Sequence, residues 1–201
     1  MTLYRPIKRG FDIAGSVAAL AVSAPLCAAV SLLIKQEGPG PVIFVHNRVG
    51  VGGKKIRVYK FRSMHIGSEE LITMLSGEQI ERFYLEYKLN DDPRVTAIGR
   101  VIRRSFIDEI PQFINIIQGD MTLVGPRPIT KPELSFYSEE ERKRLLSVKP
   151  GLTGLWQVFG KGKANYQNRK RQKMELYYVE HASFALDLII LIMTPLALFR
   201  K

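Results

Sequence analysis

Ile13-Ala14-Gly15-Ser16-Val17-Ala18-Ala19-Leu20-Ala21-Val22-Ser23-Ala24-Pro25-Leu26-Cys27-Ala28-Ala29-Val30-Ser31-Leu32-Leu33-Ile34 is a run of 22 residues without a formal charge, bounded by Asp12 and Lys35. As a helix it measures ~33 Å, enough to reach across the hydrocarbon core of a bilayer. Lys8 and Arg9 precede it, as in a secretory signal, but the apolar stretch is too long and no small-x-small cleavage pattern ends it. Bulky Leu26 directly before Cys27 argues against a lipoprotein signal. Ser23-Ala24-Pro25 interrupts the run near its centre. Proline removes one helical hydrogen bond and crowds the preceding turn, so a kink is expected at Ser23 and Pro25, with the Ser23 hydroxyl satisfying a carbonyl that the kink frees. Basic residues lie on both sides of the run, and the positive-inside rule favours the cytoplasm for both ends. Two readings stand at this point: a helix that dips in, bends and returns, or a single-pass helix with a tolerated proline.

A chain of 201 residues supports one good core, and one catalytic domain is expected beyond the membrane segment. Thirty Lys and Arg against 19 Asp and Glu give a net charge of +11, which suits nucleic acid, an anionic membrane face or phosphate-bearing substrates. The single cysteine, Cys27, excludes an intrachain disulfide and reads as a small buried hydrophobe. A basic membrane-tethered protein that binds nucleic acid, or a scaffold without catalysis, is the alternative to an enzyme. The basic cluster from Lys161 to Lys173 contains only Tyr166 for base stacking, so no nucleic-acid partner is expected.

Pro41 to Phe61 reads as a β-hairpin, with β-rich Val42-Ile43-Phe44-Val45 and Ile56-Arg57-Val58-Tyr59 joined through Gly50, Gly52 and Gly53. Gly52-Gly53-Lys54-Lys55 lacks the spacing and the Ser/Thr of a phosphate loop and is read as a turn. Ser68-Glu69-Glu70 starts a helical region whose Ile80, Phe83, Tyr84 and Tyr87 share one face, split near Gly77. Asn90-Asp91-Asp92-Pro93 is a turn, and Ala97 to Arg104 a short basic helix. Ser138-Glu139-Glu140-Glu141 fits a capping box opening a helix that ends near Pro150-Gly151. Phe184 to Phe199 is apolar but carries Asp187 and Pro195, and at 16 residues it reads as a buried or interfacial helix.

The chemistry-bearing stretch is Asp108-Glu109-Ile110-Pro111-Gln112 followed by Gly125-Pro126-Arg127-Pro128. Pro111 suits the first turn of a helix, which puts Asp108 and Glu109 at the positive end of its dipole. That field is expected to lower the Asp108 pKa, keep it nucleophilic and favour an incoming phosphate. Adjacent carboxylates can also share Mg²⁺, which takes one or two carboxylates plus substrate phosphates. Pro126 and Pro128 stiffen the backbone around Arg127, whose planar fork suits bidentate phosphate binding. Ordinary helix capping explains the acidic pair alone; its conjunction with the fixed arginine within twenty residues points to phosphate handling.

Ordered motifs along the whole chain resemble the bacterial sugar transferases known as monotopic phosphoglycosyl transferases. They are Lys8-Arg9-x-x-Asp12 before the proline-bent helix, Tyr59-Lys60-Phe61-Arg62-Ser63-Met64, Asp91-Asp92-Pro93-Arg94-Val95-Thr96 and Asp108-Glu109-x-Pro111-Gln112. Gly119-Asp120-Met121, Val124-Gly125-Pro126-Arg127-Pro128 and Pro150-Gly151-Leu152-Thr153-Gly154 complete the set. The resemblance implies transfer of a sugar 1-phosphate from a UDP-sugar to undecaprenyl phosphate with release of UMP, through a covalent intermediate on Asp108. It implies that Glu109 assists with Mg²⁺ or a proton, that Lys60 and Arg127 hold phosphates, and that Asp187 and Glu175 belong to the site; Arg104 is a further phosphate-binding candidate. Many relatives have Asp at the position of Glu175 and adjacent Ser-Pro where Ser23 and Pro25 are separated. Many also have Gly-Arg-Asn where Gly160-Lys161-Gly162-Lys163 stands. The insertion from Ser68 to Leu89 is more like the hexose-transferring members and favours UDP-galactose or UDP-glucose.

The resemblance also implies that the hydrophobic helix re-enters and leaves on the cytoplasmic side, so the fold expected is α+β and helix-rich: a monotopic membrane protein with a re-entrant segment over residues 1–36 and one cytoplasmic-face catalytic unit over 37–201. That unit would carry interfacial amphipathic helices and one small hairpin, at the inner leaflet of the bacterial cytoplasmic membrane, and a homo-oligomer is compatible with this reading. Its products would enter polysaccharide synthesis.

Overall fold

The computed structural model describes residues 3–67, 76–77, 80, 92–160 and 162–199. The expected helical face through Phe83, Tyr84 and Tyr87, its start at Ser68, and Asn90, Asp91 and Lys161 lie outside the described residues. Within them the architecture is α+β and helix-rich. The uncharged run belongs to one long helix, α1 (Tyr4–Gln36), with Pro25 inside it. Ser23 Oγ donates to the carbonyls of Ala19 (2.7 Å) and Leu20 (3.4 Å). The carbonyl that Pro25 leaves without its helical donor is that of Ala21, so the expected role of Ser23 is corrected. A helical serine reaches back three or four residues, and Ala21 is only two away.

Both ends of α1 dock on the rest of the chain, while its middle does not. Near the start, Asp12 is 5% exposed and accepts hydrogen bonds from Thr122 Oγ1 (2.6 Å) and Leu123 N (3.0 Å). Arg9 donates to the carbonyls of Ile116 (2.5 Å) and Ile117 (2.8 Å). Near the other end, Val30 and Ile34 pack with Phe61 and Ile102, with half-buried Cys27 beside them, and Arg62 donates to the Ile34 carbonyl at 2.9 Å. Between these anchors Val17, Val22 and Leu26 stay exposed, Val22 to 85%.

The hairpin forms as β1 (Ile43–Val49) and β2 (Lys55–Phe61), antiparallel, with Phe44 opposite Lys60 and His46 opposite Val58. The chain turns through Val51–Gly53, where Gly52 and Gly53 adopt φ of +65° and +81°, conformations that favour glycine. Alternation along β2 sends Ile56 and Val58 against Ile116 and Met121 and Phe61 against α1. Lys60 continues the row of Ile56 and Val58.

The basic helix α2 (Ala97–Arg104) is capped by Thr96, whose side chain accepts from Gly99 N. A 3₁₀ turn, Ile107–Glu109, leads into α3 (Gln112–Gln118). Pro111 is the N-cap of α3 rather than a first-turn residue, and Asp108 and Glu109 stand on the 3₁₀ turn before it. The chain continues through β3 (Thr122–Val124), the 3₁₀ turn Pro132–Phe136 and α4 (Glu139–Leu145), which opens with the expected capping box of Ser138 and Glu141. It then adds β4 (Gly151–Thr153), a π-helical turn (Trp156–Gly160), α5 (Lys170–His181) and α6 (Phe184–Phe199). β3 and β4 pair in parallel, a second small sheet that the expectation of a single hairpin missed. Their three residues each are too few for a period-two pattern to show.

Asn115, fully buried at the centre of α3, joins α3 to the hairpin. Its amide donates to the Arg57 carbonyl (2.7 Å) and accepts from Tyr59 N (2.9 Å), as a neighbouring strand would. Each group left unpaired here would cost about 1–3 kcal/mol. This bond pair fixes the register of β2 against α3 and sets Lys60 over the turn that carries Asp108 and Glu109.

Candidate active site

Lys60, Glu109, Gln112 and Arg127 line one cleft together with Arg48, Val58, Pro128 and Leu152. Lys60 Nζ donates to Glu109 Oε1 at 2.5 Å but lies 4.0 Å from Asp108 Oδ2. The two adjacent carboxyls therefore have opposite characters. Burial works on both. At Asp108, 7% exposed, burial prevails and, helped by the Glu109 charge, pushes the carboxyl up to about 6 against Lys60, Arg103 and Arg127. At Glu109 burial also raises the pKa, but the Lys60 ammonium and the Arg127 guanidinium outweigh it and bring the carboxyl down to about 2. This corrects the expectation that a helix dipole lowers the Asp108 pKa: Asp108 sits on a 3₁₀ turn, and desolvation is the larger effect.

Asp108 accepts no hydrogen bond among the described residues, so its oxygens are free to react or to bind a cation. No group of three or more His, Cys, Asp or Glu side chains converges among the described residues. Asp108 and Glu109 thus offer a two-carboxylate donor set, which fits Mg²⁺ when phosphate oxygens supply the remaining positions.

The loop that carries Arg127 is held on both sides. The Pro126 carbonyl accepts from Gly151 N (2.7 Å), and the Pro128 carbonyl accepts from Arg48 (3.2 Å). Gly125 is required by close approach: a Cβ there would stand 2.7 Å from the Lys149 carbonyl and 2.8 Å from Gly151 N. The Arg127 side chain itself makes no hydrogen bond or ion pair among the described residues. The uncommitted guanidinium of Arg127 and the Lys60 ammonium thus line one cleft from a fixed backbone, an arrangement whose chemistry suits an anion.

Three predicted residues are not brought to this cleft. Asp187 is 6% exposed and accepts from Tyr4 Oη (2.8 Å), Lys8 Nζ (2.6 Å) and Tyr178 Oη (2.6 Å), so it clamps α6 to α1 and α5. Glu175 is buried, accepts from Tyr137 Oη (3.0 Å) and Arg171 Nε (3.2 Å), and is held above its ordinary pKa by that burial. Arg104 is exposed on α2; the arginine of that helix whose charge is felt at Asp108 is Arg103.

Sequence reasoning also missed residues that the structure brings in. Glu133 accepts from Arg48 (2.9 Å), from Thr130 N (2.6 Å) and from Tyr166 Oη (3.0 Å), and so holds the strand-like segment after Arg127. Arg171 is stacked between the rings of Trp156 and Tyr166, 4.2 Å from each centroid, and joins Glu133 to Glu175. His46 Nδ1 faces Arg48 Nη2 at 3.3 Å. Arginine only donates, so Nδ1 must accept and the proton sits on Nε2. Burial, with Arg48 and Lys60 near, keeps this ring neutral by lowering its pKa to about 4. No local pattern marks these contacts; only the alternation of Phe44, His46 and Arg48 along β1 placed the last two on one face.

The chain matches the family model for bacterial sugar transferases over residues 3–201, and it belongs to that family. It is 40% identical over 200 residues to an undecaprenyl-phosphate galactose phosphotransferase of Salmonella typhimurium, covering 98% of this chain and 41% of that protein. It is also 40% identical over 196 residues to a UDP-N-acetylgalactosamine-undecaprenyl-phosphate N-acetylgalactosaminephosphotransferase of Aeromonas hydrophila, covering 96% of this chain and 43% of that one. The exopolysaccharide production protein ExoY of Rhizobium meliloti is 36% identical over 197 residues, covering 94% of this chain and 86% of that protein. The chain thus spans about two fifths of the length of the Salmonella and Aeromonas relatives.

The raised Asp108 pKa carries a stability consequence with a definite sign. The folded state binds this proton more tightly than the unfolded state, so the cost of the buried charge is absent below about pH 4 and complete above about pH 6. Asp108→Asn removes that charge and is expected to stabilise the fold at pH 7.5 by on the order of 2–3 kcal/mol, with little gain at pH 4. Thermal unfolding at the two pH values checks this; an equal change at both would contradict it.

Proposed function

We propose that this chain transfers a sugar 1-phosphate from a UDP-sugar to undecaprenyl phosphate and releases UMP, with Asp108 as the nucleophile. The observation that carries the reading is the division of charge at the acidic pair: Lys60 pairs with Glu109 and leaves Asp108 buried, without a hydrogen bond among the described residues and within the field of Arg127. A carboxylate stripped of solvent and hydrogen bonds is a better nucleophile than a solvated one. Family membership and the activities for which the Salmonella and Aeromonas relatives are named support transfer of a sugar phosphate to undecaprenyl phosphate.

In the first step an Asp108 oxygen attacks the sugar-bearing phosphorus of the donor. The bond from that phosphorus to the bridging oxygen breaks, and UMP departs with the electron pair. In the second step an oxygen of the lipid phosphate attacks the same phosphorus, the bond to Asp108 breaks, and Asp108 returns as a carboxylate. Arg127 and Lys60 offset the negative charge that accumulates on the phosphoryl oxygens. Mg²⁺ would be held by Glu109 and Asp108, and when bound it neutralises charge on the donor diphosphate. The donor class is a UDP-hexose, with galactose the first choice by analogy to the Salmonella relative.

The proposed membrane placement is supported by α1. A helix with both ends docked on one folded body and an exposed apolar middle can enter the bilayer and return to the same face. Exposed Leu188, Ile192 and Leu196 of α6 extend the apolar surface. The catalytic cleft then lies at the cytoplasmic face of the inner membrane, where a lipid phosphate arrives without leaving its leaflet. The product would start an exopolysaccharide or capsule chain.

The purified chain, given undecaprenyl phosphate and a panel of UDP-sugars, is expected to release UMP rather than UDP, and Asp108→Asn to reduce release by at least about a thousandfold. Absence of UMP with every donor contradicts the proposal, and undiminished release by Asp108→Asn removes Asp108 as nucleophile. For topology, cysteines placed singly at Arg5 and Gln36, with Cys27 replaced by serine, should both react with an impermeant maleimide from the cytoplasmic side. Reaction of one of them only from the opposite side would restore a single-pass helix.

A further inference from the structure

Gln112 is 3% exposed, yet it lines the cleft, and its side-chain amide has no hydrogen-bond partner among the described residues. The amide atoms are not sealed from solvent, so no buried group is left unsatisfied here. A nearly buried side chain whose amide opens on the cleft and is tied to no described residue is available to a ligand there. Its position relative to Asp108 says which part of the ligand. The helical path is continuous from Ile107 into α3: Ile110 N bonds the Ile107 carbonyl and Ile114 N bonds that of Pro111, both Ile110 and Pro111 having right-handed helical angles. The bonds on this path join residues three apart, so the fourth residue stands about one turn on and is turned partly away from the first. Gln112 thus stands one turn beyond Asp108.

The other lining groups decide the chemistry. Arg48, Lys60 and Arg127 only donate, ionised Glu109 only accepts, and Val58, Pro128 and Leu152 offer no side-chain polar atom. Phosphate oxygens need donors alone and are already matched by the cations. A hydroxyl both donates and accepts, and Gln112 is the lining side chain able to complement it in both senses. We propose that the Gln112 amide binds the hydroxyl on the second carbon of the transferred sugar and sets selectivity at that position. In a sugar 1-phosphate this is the sugar hydroxyl nearest the phosphorus, the atom that must lie against Asp108. The inference rests on the proposed reaction.

The test compares the wild-type chain with Gln112→Met, similar in size and without hydrogen-bonding capacity, using the preferred UDP-hexose and its 2-deoxy counterpart. Gln112→Met should unfold at the wild-type temperature or above, because no bond within the chain is lost. Its kcat/KM for the hydroxyl-bearing donor should fall by ~10–100-fold, while with the 2-deoxy donor the two proteins should differ less than about threefold. An undiminished kcat/KM, or an equal loss with both donors, overturns the inference. A lowered unfolding temperature with equal losses assigns Gln112 to packing and overturns it as well. Absence of UMP release by the wild-type chain would instead remove the reaction on which the inference stands, so the two failures are distinguishable.

Discussion

One ammonium group shared unequally between two adjacent carboxylates organises this site. Lys60 Nζ is 2.5 Å from Glu109 and 4.0 Å from Asp108, so its field and its hydrogen bond serve Glu109 while burial governs Asp108. The result is a carboxyl pair split between about 2 and about 6, one partner permanently charged and the other poised near neutrality. A pair with equal partners would not divide labour in this way. The difference depends on where β2 holds Lys60, and that depends on Asn115, whose side chain ties α3 to β2 through two bonds to the strand's backbone.

A second layer keeps the Arg127 loop in place. Glu133 gathers Arg48, Thr130 and Tyr166, and Arg48 reaches the Pro128 carbonyl, so the segment on one side of Arg127 is fixed by buried charge-assisted bonds. Gly151 holds the other side through the Pro126 carbonyl. Glu175 supports the same assembly through Arg171, which is why an acidic residue fully buried in α5 matters without touching the cleft. Asp187 acts similarly at the base of α1, where Tyr4, Lys8 and Tyr178 converge on it. α1 is therefore tied to the rest of the described chain near both ends: Asp12 and Asp187 bind its start, and Ile34 and Arg62 its end.

Much of this was legible in the sequence where a local pattern encodes the structure. Gly52 and Gly53 between β-rich runs marked the hairpin, Ser138 with Glu141 marked a helix start, and the uncharged run marked α1. Asp108, Glu109, Lys60 and Arg127 could be named as neighbours only through motifs, and the structure brings the four together. What failed had no local signal. The sign of the Asp108 shift depends on burial, a tertiary property that dipole reasoning cannot supply. The partners of Asp187 come from as far as 183 positions away, so its clamping role was invisible in a Leu-Asp-Leu run. The β3–β4 pair is too short to show a period, and Gln112, visible only as the end of a motif, had no role of its own because an uncommitted amide is recognised only once its surroundings are known.

The central claim, that Asp108 carries the transferred group, is tested most directly by intact-protein mass spectrometry after mixing the chain with a UDP-hexose and Mg²⁺ in the absence of lipid phosphate. The account predicts a hexose-phosphate adduct that maps to the peptide containing Asp108, disappears on addition of undecaprenyl phosphate and is absent in Asp108→Asn. Turnover with lipid present, but no adduct under any quench, or an adduct on another residue, would contradict it.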